Sequence, residues 1–254
     1  MYVPGDSPVH ALDPRLKLLG FMGMIITIFA VRSAHGYFVM YAFLFVLIIL
    51  SKVSPRFLLR SVKSIWFLIL LAGVFQLFSG YGRVLFEFGP FVVHAESVFL
   101  AVEVVSRLIF VVLCASLMTV TTSPIELSDA VESLMGKLPG MKRFAHELAM
   151  VMSISIRFVP VMAEEAENIL KAQTSRGAPI DDRKFTGKLK GILSVAIPLI
   201  VLSLRRAEEI ALAMEARGYR GWEGRTRFRE LRWKAKDTVF AMMVSSIIIL
   251  CLFI

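Results

Sequence analysis

The stretch VFLAVEVVSRLIFVVLCASLMT, from Val98 to Thr119, indicates the fold class of this chain. It exceeds the roughly 20 residues that a helix needs to cross the hydrocarbon core of a bilayer. Its only charged residues are Glu103 and Arg107. Four shorter apolar runs resemble it, and they extend over Leu16 to Val31, Tyr37 to Leu50, Val62 to Phe78 and Val239 to Ile254. We therefore predict an all-α polytopic membrane protein with about five transmembrane helices.

The composition supports a membrane class. Hydrophobic residues make up 57% of the 254 residues and the mean hydropathy is +0.71, whereas a soluble domain is about 45–50% apolar. The net charge of +9 is typical of basic residues that face anionic headgroups on the cytoplasmic side, so no nucleic-acid partner is expected. Cys114 and Cys251 lie far apart in apolar runs, and their spacing indicates neither a disulfide nor a zinc site.

Basic residues predict the orientation in the membrane. The connection between the second and third runs carries Lys52, Arg56, Arg60 and Lys63, whereas the connections on either side carry one arginine each. Because short loops rich in lysine and arginine stay in the cytoplasm, this connection and the N-terminus are predicted to be cytoplasmic. With five spans, residues 123–235 then also lie inside, and the C-terminus lies outside.

Within residues 123–235, two further segments are apolar enough to span, Leu148 to Met162 and Gly191 to Leu204. If they did, the short stretch between them would be exported with its six basic residues, against the positive-inside tendency. We predict instead two long amphipathic helices, Arg143 to Arg176 and Lys188 to Arg217, which lie along the membrane face and emerge from it.

A shorter helix is predicted before these two, from about Ser123 to Leu138, with Ser123 as N-cap and Pro124 at the first helical position. The predicted division of the chain is then 1–122 with four transmembrane helices, 123–235 as a cytoplasmic domain, and 236–254 with the last transmembrane helix.

An internal repeat ends both long helices. AENILKAQTSRG, from Ala166 to Gly177, and AEEIALAMEARG, from Ala207 to Gly218, are identical at six of twelve aligned positions. Composition alone gives some matches between helix ends rich in alanine and glutamate, but it does not dictate Arg-Gly at the stop. A glycine near the C-cap adopts the left-handed conformation readily, and an arginine beside it reaches beyond the helix end. Two alike tips predict two alike sockets on other proteins, each lined by carboxylates or carbonyls.

Four motifs then carry a family resemblance. They are LDPRLKLL at Leu12 to Leu19, TTSP at Thr121 to Pro124, RFVPVMAEEAENILKAQTSRG from Arg157, and LRRAEEIALAMEARGYRG from Leu204. With these motifs the chain resembles the transmembrane T component of energy-coupling factor (ECF) transporters over nearly its whole length. Such a protein is a subunit of a prokaryotic plasma-membrane importer of vitamins or transition-metal ions.

The resemblance implies partners and a site. In the family, two cytoplasmic coupling helices end in Ala-Arg-Gly motifs, each docked in one of two ABC-type ATPases, and a separate membrane-embedded substrate-binding (S) subunit completes the complex. The motif positions in this chain are Ser175, Arg176 and Gly177 in the first copy, and Ala216, Arg217 and Gly218 in the second. Serine replaces the first alanine, a change between small residues. ATP and Mg²⁺ are expected on the ATPases, and this chain is expected to bind no cofactor or metal and to catalyse nothing. Indeed, no G-x-x-x-x-G-K-[ST] motif occurs in it.

Two other classes of function remain open. Glu103 and Arg107 share a helix face in the fourth span, and they form either a structural pair or the ion or proton site of a secondary transporter. Glu164 and Glu165 would serve an intramembrane hydrolase as base or metal ligands, although a solvated helix face explains them better. The basic tract from Arg225 to Lys236 is interpreted as a lipid-headgroup anchor before the last span.

Overall fold

The structure, a computed structural model, describes residues 5–31, 33–78, 84–88, 91–180, 184–219, 221 and 233–253. Within these ranges the chain is almost entirely helical. The elements in chain order are α1 (Pro14–Ala30), α2 (Ala34–Ser51), α3 (Pro55–Phe78), β1 (Val84–Phe88), β2 (Phe91–His94), α4 (Ala95–Thr121), α5 (Pro124–Met135), α6 (Lys142–Ser175), α7 (Phe185–Ala216) and α8 (Ala235–Phe253). The chain divides into two compact units, Met1–Ala130 together with Glu230–Ile254, and Val131–Arg229.

The first unit is built around an apolar core shared by α1, α2, α4 and α8. Its most deeply buried side chains are large aliphatic and aromatic groups: Phe21, Met24 and Ile28 of α1, Met40 and Leu44 of α2, and Phe110 and Leu117 of α4. Cys114 and Cys251 are free thiols in the same core. Other large apolar side chains of these helices point outward and are exposed, which is the arrangement expected where lipid is the solvent.

Helix α3 packs along α4, and the two approach each other closely. A Cβ atom on Gly73 would lie 2.8 Å from Cγ2 of Val105, so glycine permits the contact. The hydroxyl groups of Ser61 and Ser116 share a hydrogen bond of 2.8 Å between the same helices.

Strands β1 and β2 join α3 to α4 as an antiparallel hairpin with an irregularity between Val84 and Phe86. The apolar runs of the sequence do not predict this hairpin.

A cluster of buried charged residues lies where α1 begins. The side chain of Lys17 is fully buried, and its Nζ donates to the carbonyl oxygens of His10 at 2.9 Å and Thr121 at 3.0 Å. The Asp13 backbone N–H donates to Oδ1 of Asp237 at 2.9 Å, and both aspartates are buried. Together Asp13, Lys17 and Asp237 form what we call the α1 charge cluster, which joins α1 to the end of α4 and the start of α8.

Helix α5 begins as predicted. Oγ of Ser123 accepts a hydrogen bond from the Glu126 N–H at 3.2 Å, while the Ser123 N–H donates to Oε2 of Glu126 at 3.1 Å. This reciprocal pair is a capping box, and Pro124 occupies the first helical position.

The second unit contains the two longest helices of the described chain. Helix α6 has 34 residues and α7 has 32, so each is about 50 Å long at 1.5 Å per residue. Each contains one proline, Pro160 in α6 and Pro198 in α7. The two helices pack together, and Oγ of Ser203 lies 3.5 Å from Sδ of Met162 across their contact.

Among the described residues, six helices are long and apolar enough to cross a membrane, namely α2, α3, α4, α6, α7 and α8. Helix α1, at 17 residues, is one residue shorter than α2. The fold class of an all-α polytopic membrane protein is therefore confirmed, with a count close to the five predicted spans. The placement of α6 and α7 outside the membrane and the division at residues 122 and 235 stay predictions. The basic tract from Arg225 lies outside the described residues as far as residue 232.

Candidate functional site

Helix α6 ends in a Schellman cap. Arg176 is the C-cap residue, and Gly177 follows in the left-handed conformation with φ of 77°. The Gly177 N–H donates to the Thr174 carbonyl at 3.0 Å, and the Ala178 N–H donates to the Gln173 carbonyl at 3.0 Å. These two bonds pair carbonyl groups that the end of a helix otherwise leaves without a donor.

Helix α7 ends in the same way. Arg217 is the C-cap residue, and Gly218 is left-handed with φ of 71°. The Gly218 N–H donates to the Glu215 carbonyl at 2.9 Å, and the Tyr219 N–H donates to the Met214 carbonyl at 3.0 Å. The repeat seen in the sequence therefore corresponds to one backbone structure formed twice.

The glycines are needed for backbone conformation and not for space. A Cβ atom on Gly177 or on Gly218 would meet nothing within 4 Å. A positive φ, however, costs an L-residue roughly 1–2 kcal/mol. Glycine therefore favours the abrupt stop that leaves the preceding arginine at the very end of each helix.

Both arginine side chains are available to another molecule. Arg176 and Arg217 are exposed, and within the described part of the chain neither guanidinium makes a hydrogen bond or an ion pair. Each lies where the partial negative charge of a helix C-terminus is greatest, which stabilises the cation. Each tip thus presents a planar fork of five N–H donors that suits carboxylate or carbonyl acceptors.

The small residue before each arginine is exposed as well. We call the end of α6 with Arg176 the first tip and the end of α7 with Arg217 the second tip. In the first tip, the hydroxyl of Ser175 donates to the Lys171 carbonyl of its own helix at 3.0 Å. The donor is thereby used within α6, so Ser175 presents a surface close to that of Ala216 in the second tip. The departure from alanine changes the shape of the first tip little.

Glu103 and Arg107, the other predicted pair, are joined to two neighbouring helices. Nη2 of Arg107 donates to Oε1 of Glu103 and to the Val31 carbonyl at the end of α1, the latter at 3.3 Å. The hydroxyl of Tyr37 in α2 donates to the same Glu103 oxygen at 3.0 Å. The pair therefore links α4 to the end of α1 and to α2, and its role stays a prediction.

Glu164 and Glu165 lie side by side on α6. Glu164 is exposed and Glu165 is half-buried on α6. No set of three or more histidine, cysteine, aspartate or glutamate residues that could hold a metal ion occurs among the described residues. The burial of the two carboxylates fits the partly solvated helix face expected from the sequence.

The sequence interpretation missed two residues, Lys17 and Gly191. Lys17 appears in the sequence only as part of the LDPRLKLL motif, whereas in the structure it is buried and donates to two carbonyls. A lysine placed four residues after Asp13 at the start of an apolar run is the signal for it. Gly191 lies inside α7, where glycine costs about 1 kcal/mol relative to alanine. An interior helical glycine of this kind often indicates a close backbone approach.

Comparison with known proteins identifies the family. Residues 5–228 match the CbiQ family, described as cobalt transport protein. A Clostridium kluyveri protein is 39% identical over 253 residues, which cover 99% of this chain and 93% of the relative. One from Acidaminococcus fermentans is 40% identical over 253 residues, with coverage of 100% and 94%. One from Thermanaerovibrio acidaminovorans is 42% identical over 248 residues, with coverage of 96% and 91%.

All three relatives are described as energy-coupling factor transporter transmembrane protein EcfT. These matches extend over nearly the whole chain and confirm the resemblance carried by the four sequence motifs. The chain belongs to the family of energy-coupling factor transporter transmembrane proteins and is a multi-pass membrane component of such a transporter.

Proposed function

We propose that this chain is the coupling subunit of an ATP-driven importer of vitamins or transition-metal ions. It links two ABC-type ATPases to a membrane-embedded substrate-binding subunit and transmits the closure of the ATPases to that subunit. ATP and Mg²⁺ bind to the ATPases, and this chain catalyses no reaction and binds no cofactor. Its N-terminus and α5 to α7 lie in the cytoplasm of a prokaryotic cell, and its C-terminus lies outside.

One observation supports this proposal above all others: two helix ends share one backbone cap, and each presents one exposed arginine that has no partner among the described residues. A single tip would suit many roles, but two equivalent tips suit two equivalent partners. ABC-type ATPases act in pairs in the family that the chain resembles, so each tip serves one ATPase.

The long helices suit the transmission of force. A continuous helix of about 50 Å resists bending over a distance greater than the roughly 30 Å hydrocarbon core of a membrane. The two helices pack against each other within one unit, so a displacement of either tip moves a shared body. Movement imposed by the ATPases is thereby carried toward the apolar parts of α6 and α7.

The test is co-purification of the two ATPases with tagged variants of this chain. Arg176→Ala and Arg217→Ala are each expected to weaken association, and the double variant is expected to weaken it more than about 100-fold, as for interface arginines that carry much of the binding free energy. Arg205→Ala, which removes another exposed arginine from α7, is the matched control and is expected to leave association unchanged. Wild-type association of a correctly inserted double variant would refute the proposal.

The orientation has its own test. Cysteines introduced at positions 176 and 217 are labelled with a membrane-impermeant thiol reagent in right-side-out and in inverted vesicles. The native thiols Cys114 and Cys251 are buried, which keeps the background low. Labelling of both positions in inverted vesicles alone supports the proposal, whereas labelling of the two positions from opposite sides contradicts it.

A further inference from the structure

Gly191 is the only buried residue of α7, all of whose residues the structure describes. A Cβ atom at this position would lie 2.6 Å from the Pro179 carbonyl oxygen and 2.7 Å from Cα of Ile180. Favourable contacts between carbon atoms are about 3.5–4.0 Å, so no side chain fits there. The atoms in the way belong to the backbone and cannot move aside by rotating a side chain. Glycine is therefore required where residues 179 and 180 cross α7.

The crossing segment begins directly after the first tip. Ala178 completes the Schellman cap of α6, and the Ile180 N–H donates to the Ala178 carbonyl at 2.8 Å in a three-residue turn around Pro179. Proline fixes one of the two backbone dihedrals at the centre of this turn. Two residues, Gly177 and Ala178, thus separate Arg176 from a short, stiff segment that contacts α7.

The α7 backbone at this point is also restrained. Oγ of Ser194 donates to the Gly191 carbonyl at 2.7 Å, in addition to the hydrogen bonding of the helix itself. A side chain added at Gly191 would therefore displace the less restrained segment, residues 179 and 180, and not the α7 backbone. Because the turn is stiff, that displacement would be passed on to the tip.

We infer that Gly191 is a positioning residue for Arg176. The backbone crossing holds the end of α6 at a fixed place on α7, and so sets where the first guanidinium is presented. This inference rests on the proposed function of Arg176 as a docking residue. It assigns to Gly191 a role in docking at one tip and not at the other.

A double-mutant cycle tests the inference in the intact complex. Gly191→Ala is expected to weaken ATPase association about tenfold, within the range of coupling found between neighbouring sites. In an Arg176→Ala background it is expected to have no further effect, because the misplaced group is already absent. In an Arg217→Ala background it is expected to have its full tenfold effect. Lys190→Ala, at an exposed neighbouring position on α7, is expected to match wild type throughout.

Two controls separate positioning from a general loss of structure. The thermal stability of each variant is measured in parallel, since alanine without a close approach would favour the helix. Pro179→Gly keeps Gly191 and loosens only the turn, so it tests the same link should Gly191→Ala fail to insert. It is expected to show the same dependence on Arg176.

The outcomes distinguish the inference from the function on which it rests. Equal effects of Gly191→Ala in both arginine backgrounds, or no effect in either, would overturn the inference alone. Unchanged association in Arg176→Ala and Arg217→Ala would instead overturn the proposed function.

Discussion

The α1 charge cluster and the two helix tips differ in how their charged side chains are placed: those of the cluster are buried and those of the tips are exposed. Lys17 is fully buried and uses its ammonium group on two backbone carbonyls. Arg176 and Arg217 are exposed and have no partner in the described part of the chain. A buried charge must be paired, because desolvation is costly, and it thereby specifies how helices meet. An exposed, unpaired charge contributes little to folding and remains available for binding. Positive charge therefore contributes to folding at one place and, in the proposed function, to recognition at the other.

The largest expected effect on stability follows from removing the charge of the buried Lys17. Lys17→Met nearly keeps the length of the side chain but removes the donor to His10 and Thr121. It also removes a positive charge that interacts with the carboxylates of Glu126, Asp13 and Asp237. We expect a loss of about 3–5 kcal/mol in the free energy of unfolding, as for other buried charges deprived of a partner. Thermal or denaturant unfolding of the detergent-solubilised protein measures it.

Lys171→Met is the matched control, because the Lys171 side chain is 69% exposed and pairs with Glu167 of its own helix. It is expected to change stability by less than about 1 kcal/mol. Similar losses in Lys17→Met and Lys171→Met would remove the contrast between the two regions.

A smaller effect is expected at the tips, and there it concerns the backbone. Gly177→Ala or Gly218→Ala forces an L-residue to a positive φ at a cost of about 1–2 kcal/mol, although the added methyl group has ample space. The cap then opens, and we expect weaker ATPase association and faster hydrogen exchange at the amides that follow.

Asparagine is the matched substitution, because it adopts the left-handed conformation more readily than alanine. Gly177→Asn and Gly218→Asn are expected to retain more association than the alanine variants. If asparagine reduced association as much as alanine does, the positive φ would not explain why glycine is needed at these positions.

A further prediction separates charge from shape at the tips. Arg176→Lys and Arg217→Lys keep the positive charge and lose the planar fork, so each is expected to weaken association by about 1 kcal/mol, roughly fivefold. Unfolding should be unaffected, since both side chains are exposed and neither guanidinium makes a hydrogen bond or ion pair within the described chain. Titration of the two ATPases against each variant measures the effect, and full retention by lysine would show that charge alone is recognised.

The smallest effect is expected from an exposed ion pair near the first tip. Oε1 of Glu167 lies 2.7 Å from Nζ of Lys171, and both side chains are more than half exposed. Glu167→Gln is expected to change the free energy of unfolding by no more than about 0.5 kcal/mol and to leave ATPase association unchanged. A larger loss of stability would mean that exposed charges hold this unit together after all.

Much of the fold follows from the sequence. Apolar runs that approach or exceed the length of a bilayer span predict the transmembrane helices. Ser123 with Pro124 predicts the start of α5, because the signals for a helix start lie within a few neighbouring residues. The ends of α6 and α7 were also visible, since Arg-Gly recurs at both. The β1–β2 hairpin was not predicted, although Gly89-Pro90 between its strands is a turn signal, because strands of five and four residues are too short to show a clear alternating pattern.

Contacts between distant segments were beyond what the sequence pattern reveals. The Lys17 ammonium meets Thr121 across 104 positions, and the Gly191 backbone meets Pro179 through a contact that has no side-chain signature. Both depend on how helices pack, and packing is decided by the summed fit of many surfaces. Local spacing could place Lys17 and Gly191 on helices but could not identify their neighbours.

The Schellman caps at both tips have a consequence for the thermodynamics of docking. A bare helix end entering a dry socket would bring dehydrated carbonyl groups that the socket must then supply with donors. Here the terminal carbonyls of Gln173 and Thr174, and likewise of Met214 and Glu215, already accept backbone hydrogen bonds. Fewer bare carbonyl groups are therefore dehydrated on entry, and the guanidinium is the charged group for which a receptor must supply acceptors.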